Sequence, residues 1–322
     1  MLERGEPGAG QSAGRARGFR HLHATPAQID AAVRARAGWD AWSERAGEPL
    51  IGAEGALRLG GDVAADTARL QAAGIGAEVL ERAGERMPAL AADAGPLLWD
   101  PRGGALSAQR AVAWLCRELG SRVRRVAVHA AAPGAVETAD GPLSCGHVVL
   151  CAGAGTERLW PHVAMRRTVH MRITFECSGA ASVWADRSGR FGALTYGVAD
   201  GAGRFALGLA DLDAQPVPAD PRAEAVPDRV HLGPVRARLL AYAADAFPGL
   251  GAPLDEIVRL LTVLPGDDED AFLLERRDGM TVLCGHNLFK LAPLLGEAVA
   301  DTVSAGARRP SPRAGATPPP AR

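Results

Sequence analysis

The sequence predicts a mixed α/β (α+β) fold in which a layer of alternating strands and helices is interleaved with an antiparallel sheet. Three observations carry this. Between residues 27 and 151, segments with helical apolar spacing alternate with short apolar runs. From Arg167 the pattern changes to a succession of strands with period-two alternation. Near the end, Thr281 to Leu283 reads as a short buried strand, followed by a glycine loop and a helix from about Pro293.

The elements follow in order. Ala27 to Glu44 places Ile29, Val33, Ala37, Trp39 and Trp42 at helical spacing, with Pro26 at its start. Leu50 to Leu59 alternates as a hairpin around Gly55. Ala64 to Ala73 is a helix ended by Gly74, and Ala77 to Leu80 is a strand. Ser107 caps a helix that runs to Leu119 and stops at Gly120. Val123 to His129, Val136 to Thr138 and His147 to Cys151 are strands, with Asp140-Gly141 as the hairpin turn before the last of them. Thr168 to Phe175, Ser182 to Asp186, Ala193 to Tyr196 and Arg204 to Leu209 form the antiparallel run. Pro234 to Phe247 is a helix and Ile257 to Val263 a strand. The Pro/Arg/Ala-rich stretch from Ala305 to Arg322 is expected to be disordered.

Composition excludes several classes. With 36 Lys and Arg against 37 Asp and Glu, the net charge of −1 gives no global field for nucleic acid or an anionic membrane surface. No apolar run approaches the roughly 20 residues of a membrane span. The opening Met1-Leu-Glu-Arg-Gly-Glu-Pro-Gly8 has no apolar stretch of the kind a secretory signal needs. Five cysteines without metal-type spacing are expected to be reduced, mostly buried thiols of a cytoplasmic protein.

The loop at the C-terminal strand holds Lys290, the only lysine in the chain. A strand entering a glycine loop and then a helix directs N–H groups at whatever sits above it, so the ammonium is placed to meet an anion. A surface lysine on an ordinary connection is the alternative. Gly285-His-Asn-Leu-Phe-Lys-Leu-Ala-Pro-Leu-Leu-Gly-Glu297 resembles the C-terminal flavin loop of the D-amino-acid oxidase superfamily. The nearest branch is the monomeric sarcosine oxidase and N-methyl-amino-acid oxidase group, where Gly-His-Gly-Phe-Lys-Phe is typical. Gly10-Gln-Ser-Ala-Gly-Arg-Ala-Arg-Gly-Phe-Arg-His-Leu-His23 is similar to that family's Ser-Ser-His-Gly-x-x-Arg-x-x-Arg segment. His147-Val-Val-Leu-Cys-Ala-Gly-Ala-Gly-Thr156 resembles its second flavin-contacting strand and turn. The three segments stand in family order.

The resemblance implies a Rossmann-like FAD-binding domain over 1–45, 101–160 and 264–304, and a substrate-binding sheet domain over 46–100 and 161–263, with 305–322 as a tail. Family members open with a strand, a Gly-x-Gly-x-x-Gly turn, a helix and a strand ending in an acidic residue. Here that first βα unit, roughly 30 residues, is absent. Met1 to Arg4 resembles the end of the second strand, with Glu3 at the ribose-binding position. Either the true start lies upstream, or the chain is a truncated, non-catalytic remnant that does not bind FAD as written. A parallel sheet without its central strand leaves two unpaired edges, which favours the former.

By the same resemblance, Arg17 lies over the flavin, while Arg20 and Lys290 bind a substrate carboxylate, as a guanidinium fork and a point charge can; a surface ion pair is the alternative for either arginine. Tyr196 corresponds to a substrate-pocket tyrosine, with a buried structural role as the alternative. The cofactor contacts implied are Glu3, Ser12, Arg17, Val126, Cys151, Ala152, Gly153, Thr156, Gly285, Asn287, Leu288, Phe289 and Lys290. Two departures stand out. The family's Lys-x-Gly-x-His strand, whose lysine promotes reaction with oxygen, is replaced by Ala206-Leu-Gly-Leu-Ala210. The flavin-linking Cys-x-Tyr-Thr is replaced by Arg259-Leu-Leu-Thr262, so FAD is held non-covalently. His21 and His23 on one strand face lack a third metal ligand, and Asp267 to Asp270 reads as a solvated turn.

The expected activity is FAD-dependent oxidation of the C–N bond of an amino acid or secondary amine to an imine. The partners are that small molecule and an electron acceptor that need not be oxygen, with no nucleic acid, membrane or metal.

Overall fold

The computed structural model describes residues 1–192, 194–210, 232–265 and 270–307. The dominant element is an eight-stranded sheet. Its strands run in the order Leu250–Val263, Arg166–Cys177, Arg204–Leu209, Thr195–Ala199, Val183–Asp186, Ala56–Leu59, Leu97–Asp100 and Glu78–Leu80. Neighbours pair antiparallel except Ala56–Leu59 against Val183–Asp186, which run parallel.

Alternation decides the two faces of this sheet. Along Arg166–Cys177, the apolar side chains Val169, Met171, Ile173 and Phe175 point one way, into the largest core. There they meet Trp184, Phe205, Leu207 and the helix Gly233–Ala246, which contributes Leu239 and Tyr242. The intervening Thr168, His170, Arg172 and Thr174 point the other way, toward the strand Ala16–Phe19. A buried strand with a polar inner face is uncommon, because each group there needs a partner.

The second layer is assembled from parallel pairs. Leu2–Glu3 runs parallel to Arg124–Arg125, and Val148–Leu150 runs parallel to Met280–Gly285, whose far edge pairs with Phe272–Arg277. Helix Pro26–Ala46 starts with a reciprocal capping box between Thr25 and Gln28 and ends on Gly47 in the left-handed region. It packs on Ala292–Ala307 through a core of Phe19, Ala35, Trp39, Leu106, Trp114 and Leu295.

Several expectations need correction. Leu50 to Leu59 is not a hairpin: Ala56–Leu59 lies in the middle of the large sheet, and Ile51 bridges Leu106 instead. The turn at Asp140 joins Ala135–Thr138 to the strand Gly141–Ser144, rather than to the strand that follows. The strands Ala16–Phe19, Leu97–Asp100, Gly104–Ser107 and Phe272–Arg277 were not foreseen, being short or weakly alternating. Ser107 stands at the N-cap of Ala108–Leu119 without a side-chain bond to it. Of the cysteines, Cys177 and Cys284 are buried, whereas Cys145 and Cys151 are exposed, so the thiols are not mostly buried; all five are free. The helix ending at Ala307 carries the chain into the expected tail, whose residues 308–322 lie outside the described residues, as do Asp267 to Glu269 of the expected acidic turn. Among the described residues, no helix is long and apolar enough to cross a membrane.

Candidate active site

The polar face of the large sheet and the loops of the second layer enclose one continuous cluster. Arg17 enters it from Ala16–Phe19. Its guanidinium donates to three main-chain carbonyls, those of Gln11, Ala13 and Ala16, and lies 5.8 Å from the Phe289 ring centre. Phe289 in turn stacks on Trp39 at 5.7 Å, and the Trp39 indole donates to the Lys290 carbonyl at 2.8 Å. The turn after Met280–Gly285 is therefore fixed by the first long helix.

Beneath Arg17 the sheet presents Arg172, Arg259 and Tyr196. Arg172 Nε donates to Tyr196 Oη at 3.2 Å, and its Nη1 donates to the Ala16 carbonyl at 3.0 Å. The Tyr196 ring can lie flat there because Gly208 is opposite: a Cβ at Gly208 would sit 2.4 Å from Tyr196 Cζ. Arg259 stands opposite His170 in the register. Its guanidinium passes over Gly14, where a Cβ would come within 1.9 Å of Nη2 and within 3.6 Å of Arg17 Nη1. The two guanidiniums thus converge on the same glycine.

Burial and this concentration of positive charge both disfavour the charged forms. Burial, with the charges of Arg172 and Arg259, pulls Arg17 down to about 8. Burial and Arg172 pull Arg259 down to about 10. Burial takes His170 to about 3, helped by His286 and the same arginines, and takes His286 to about 4, so both imidazoles are neutral near pH 7. Their rings meet edge-on at 5.8 Å.

A second, balanced cluster adjoins this one. Asp270 receives Lys290 Nζ and Asn287 Nδ2 on Oδ1, at 2.8 and 2.9 Å, and lies 2.7 Å through Oδ2 from His23 Nδ1. Burial alone would raise this carboxyl, but the bond from His23 and the charges of Lys290 and Arg20 hold it well below the usual range. Lys290 is 6 % exposed. Lys290, expected to meet a substrate carboxylate, is here bonded to a carboxylate of the chain, on which the charge of Arg20 also acts. His21 and His23 do not share a strand face, since the strand ends at Phe19; His21 is bonded to the buried Asp100. Among the described residues, no group of three His, Cys, Asp or Glu side chains could hold a metal.

The remaining expected residues fall in three places. Glu3 and Val126 meet through the Val126 N–H, which donates to the Glu3 carbonyl at 2.9 Å. Ser12 lines a groove of about 670 Å³ with Glu6, Gly8, Gly14, Val112 and Cys116. Cys151, Ala152, Gly153 and Thr156 follow Val148–Leu150, while Gly285, Asn287, Leu288 and Phe289 follow the adjacent parallel strand. Arg172, Arg259, His170 and Asp270 were not anticipated as site residues. The polar alternation of Thr168, His170, Arg172 and Thr174 within an apolar strand was the available signal.

The residues present fit the flavin end of a dinucleotide. Two turns stand side by side at the C-terminal ends of parallel strands, where open α/β sheets bind such groups. Gly153 and Asn287 hold φ of 54° and 57° in those turns. Thr156 Oγ1, in the first of these turns, is buried without a partner among the described residues. The Gly-x-Gly-x-x-Gly fingerprint is not among the 322 residues.

Fold and site together define a flavin-dependent oxidoreductase architecture. Residues 1–302 match the DAO family, FAD dependent oxidoreductase, and the chain belongs to that family. No curated protein matches it by sequence. Among solved structures it is similar to NikD, described as an unusual amino acid oxidase essential for nikkomycin biosynthesis, at 21 % identity and a TM-score of 0.78, covering 94 % of this chain and 86 % of that one. L-proline dehydrogenase from P. horikoshii shares 17 % identity with a TM-score of 0.75 over 90 % and 82 % of the two chains. Glycine oxidase from Geobacillus kaustophilus shares 19 % with a TM-score of 0.74 over 94 % and 87 %.

Proposed function

We propose that the chain oxidises the C–N bond of an amino acid or secondary amine to an imine, with non-covalent FAD. The carrying observation is the cationic face formed by Arg17, Arg172 and Tyr196 beneath Phe289. FAD, when bound, supplies the two-electron acceptor for the hydride leaving the amine carbon. The chain's own residues do the rest. Arg172 and the Tyr196 hydroxyl take the substrate carboxylate, a charge-assisted contact that orients the amine carbon. Arg17, pinned by three carbonyls, covers the site as a fixed cation. The turns 151–156 and 285–290 hold the flavin. His170 and His286, neutral near pH 7, add no charge of their own beside the substrate.

We infer that the acceptor need not be oxygen, the alternative being an oxidase whose oxygen-activating cation lies elsewhere. Ala206, 2 % exposed, packs with Ala16 and Val198 where the resemblance places an oxygen-promoting lysine. The test is a visible spectrum of the purified chain after FAD addition, then anaerobic addition of amino acids and secondary amines. Bleaching of the flavin bands, with turnover restored by an artificial acceptor, is the expected result. A chain that takes up no flavin sinks this reading.

A further inference from the structure

Several cations within the fold are matched by acids. Lys290 has Asp270, Arg167 has Glu157 at 3.0 Å, and Arg58 and Arg204 are bonded to Asp66 and Asp255. The face beneath Arg17 breaks this pattern. Arg17, Arg172 and Arg259 form no ion pair with any described residue, and the acid that acts on Arg17 and Arg259 is Asp200. Burial pushes the Asp200 carboxyl up from its ordinary value, against the pull of Arg172 and Arg204, and it makes no ion pair with any of the three guanidiniums.

The three guanidiniums are not equivalent. Arg17 spends its donors on carbonyls, and Arg172 spends two on Ala16 and Tyr196. Arg259 donates to no described residue. Its Nε is wholly buried and unpaired, although the side chain as a whole is half-buried and reachable. The facing His170 Nε2 is orphaned as well, and His170 is neutral, so it can donate to or accept from a ligand but cannot cancel the charge. Gly14 leaves the space through which Arg259 reaches the site. A buried guanidinium N–H without an acceptor is costly, and the cost is relieved when an anion arrives.

One substrate carboxylate, held by Arg172 and Tyr196, does not satisfy Arg259. We propose that Arg259, with His170 beside it, forms a second anion subsite, so that the substrate is an amine bearing two carboxylates. Dicarboxylic amino acids and N-(carboxyalkyl) amino acids have this chemistry. The inference rests on the amine-oxidising reading for the word substrate, and on the geometry alone for the subsite.

The test is calorimetric titration of the FAD-supplemented chain with succinate, propionate and inorganic phosphate. The wild type is expected to bind succinate about tenfold more tightly than propionate, the scale of one charge-assisted contact. Arg259→Gln is expected to bring succinate down to the propionate level while leaving propionate unchanged. Arg259→Lys is expected to recover part of the preference. Thermal melts establish that each variant is folded. Equal affinities in the wild type, a preference that survives in Arg259→Gln, or tighter binding of phosphate than succinate overturns the proposal. Flavin uptake is read separately from the visible spectrum. A succinate preference without flavin uptake sinks the oxidoreductase reading and keeps the subsite; flavin uptake with equal affinities does the reverse.

Discussion

Lys290 Nζ lies 2.8 Å from Asp270 Oδ1, and the other oxygen of the same carboxylate lies 2.7 Å from His23 Nδ1. The single lysine of the chain thereby ties the turn after Met280–Gly285 to the segment that leaves Ala16–Phe19.

Removing that carboxylate tests the tie. Asp270→Asn takes away the charge that Lys290 is bonded to while nearly preserving volume. Breaking a buried pair from one side costs about 3–5 kcal/mol. The urea midpoint is expected to fall accordingly, with the slope of the transition unchanged. An unaltered midpoint would show that the ammonium finds another counter-charge.

Acid should destabilise the fold earlier than its carboxylates alone would dictate. His23, His170 and His286 are held at about 4, 3 and 4 in the folded state, chiefly by burial, against an ordinary value of 6.5. Each folded value is depressed, so the neutral imidazole is the native form. The stability this represents is intact above pH 6.5 and drains as the pH falls toward 4, because the unfolded chain binds protons first. Each histidine contributes a slope of about 1.4 kcal/mol per pH unit in that window. Chemical denaturation at pH 7, 6, 5 and 4 measures it. His170→Gln is expected to flatten the profile by one such increment.

Gly208 tests the placement of Tyr196. A methyl group there would sit 2.4 Å from Tyr196 Cζ and must displace the ring, and with it the Arg172 Nε bond. Gly208→Ala is expected to cost about 1–3 kcal/mol, the usual scale of overpacking. It should also weaken propionate binding several-fold by calorimetry. Intact propionate binding would move the carboxylate site away from Tyr196.

How much of this was legible in the sequence follows from how local each signal is. The strand, turn and helix at 280–301 could be read because an apolar run, a glycine and a helical period stand consecutively in one stretch. The Ala56–Leu59 strand has the local alternation of half a hairpin but is not one. Its partners, Leu97–Asp100 and Val183–Asp186, are distant in sequence, and local alternation does not name a partner. The pairing of His23 with Asp270 spans 247 residues and carries no local signature. Arg259 was visible as a departure from the flavin-linking cysteine. Its significance lies in what fails to surround it, which a sequence does not display.

Tyr242 separates the two tyrosines by role. Fully buried, its hydroxyl accepts from Trp184 Nε1 at 2.7 Å and donates to Asp186 Oδ2 at 3.0 Å, and burial lifts its ionisation well above the ordinary range. The chain of three ties the helix Gly233–Ala246 to the Val183–Asp186 strand, on the side of the sheet away from Tyr196. Tyr242→Phe keeps the ring contacts with Phe191 and Phe247 and strands an indole N–H and a carboxylate oxygen. Leaving two buried groups unsatisfied, one of them charged, costs about 2–4 kcal/mol. Tyr196→Phe, half-buried and bonded to Arg172, is expected to cost under about 1 kcal/mol while lowering carboxylate affinity. Paired denaturation and propionate titrations of the two variants should therefore cross: stability lost in one, binding lost in the other. A Tyr242→Phe protein as stable as the wild type would mean that Asp186 and Trp184 are satisfied without it.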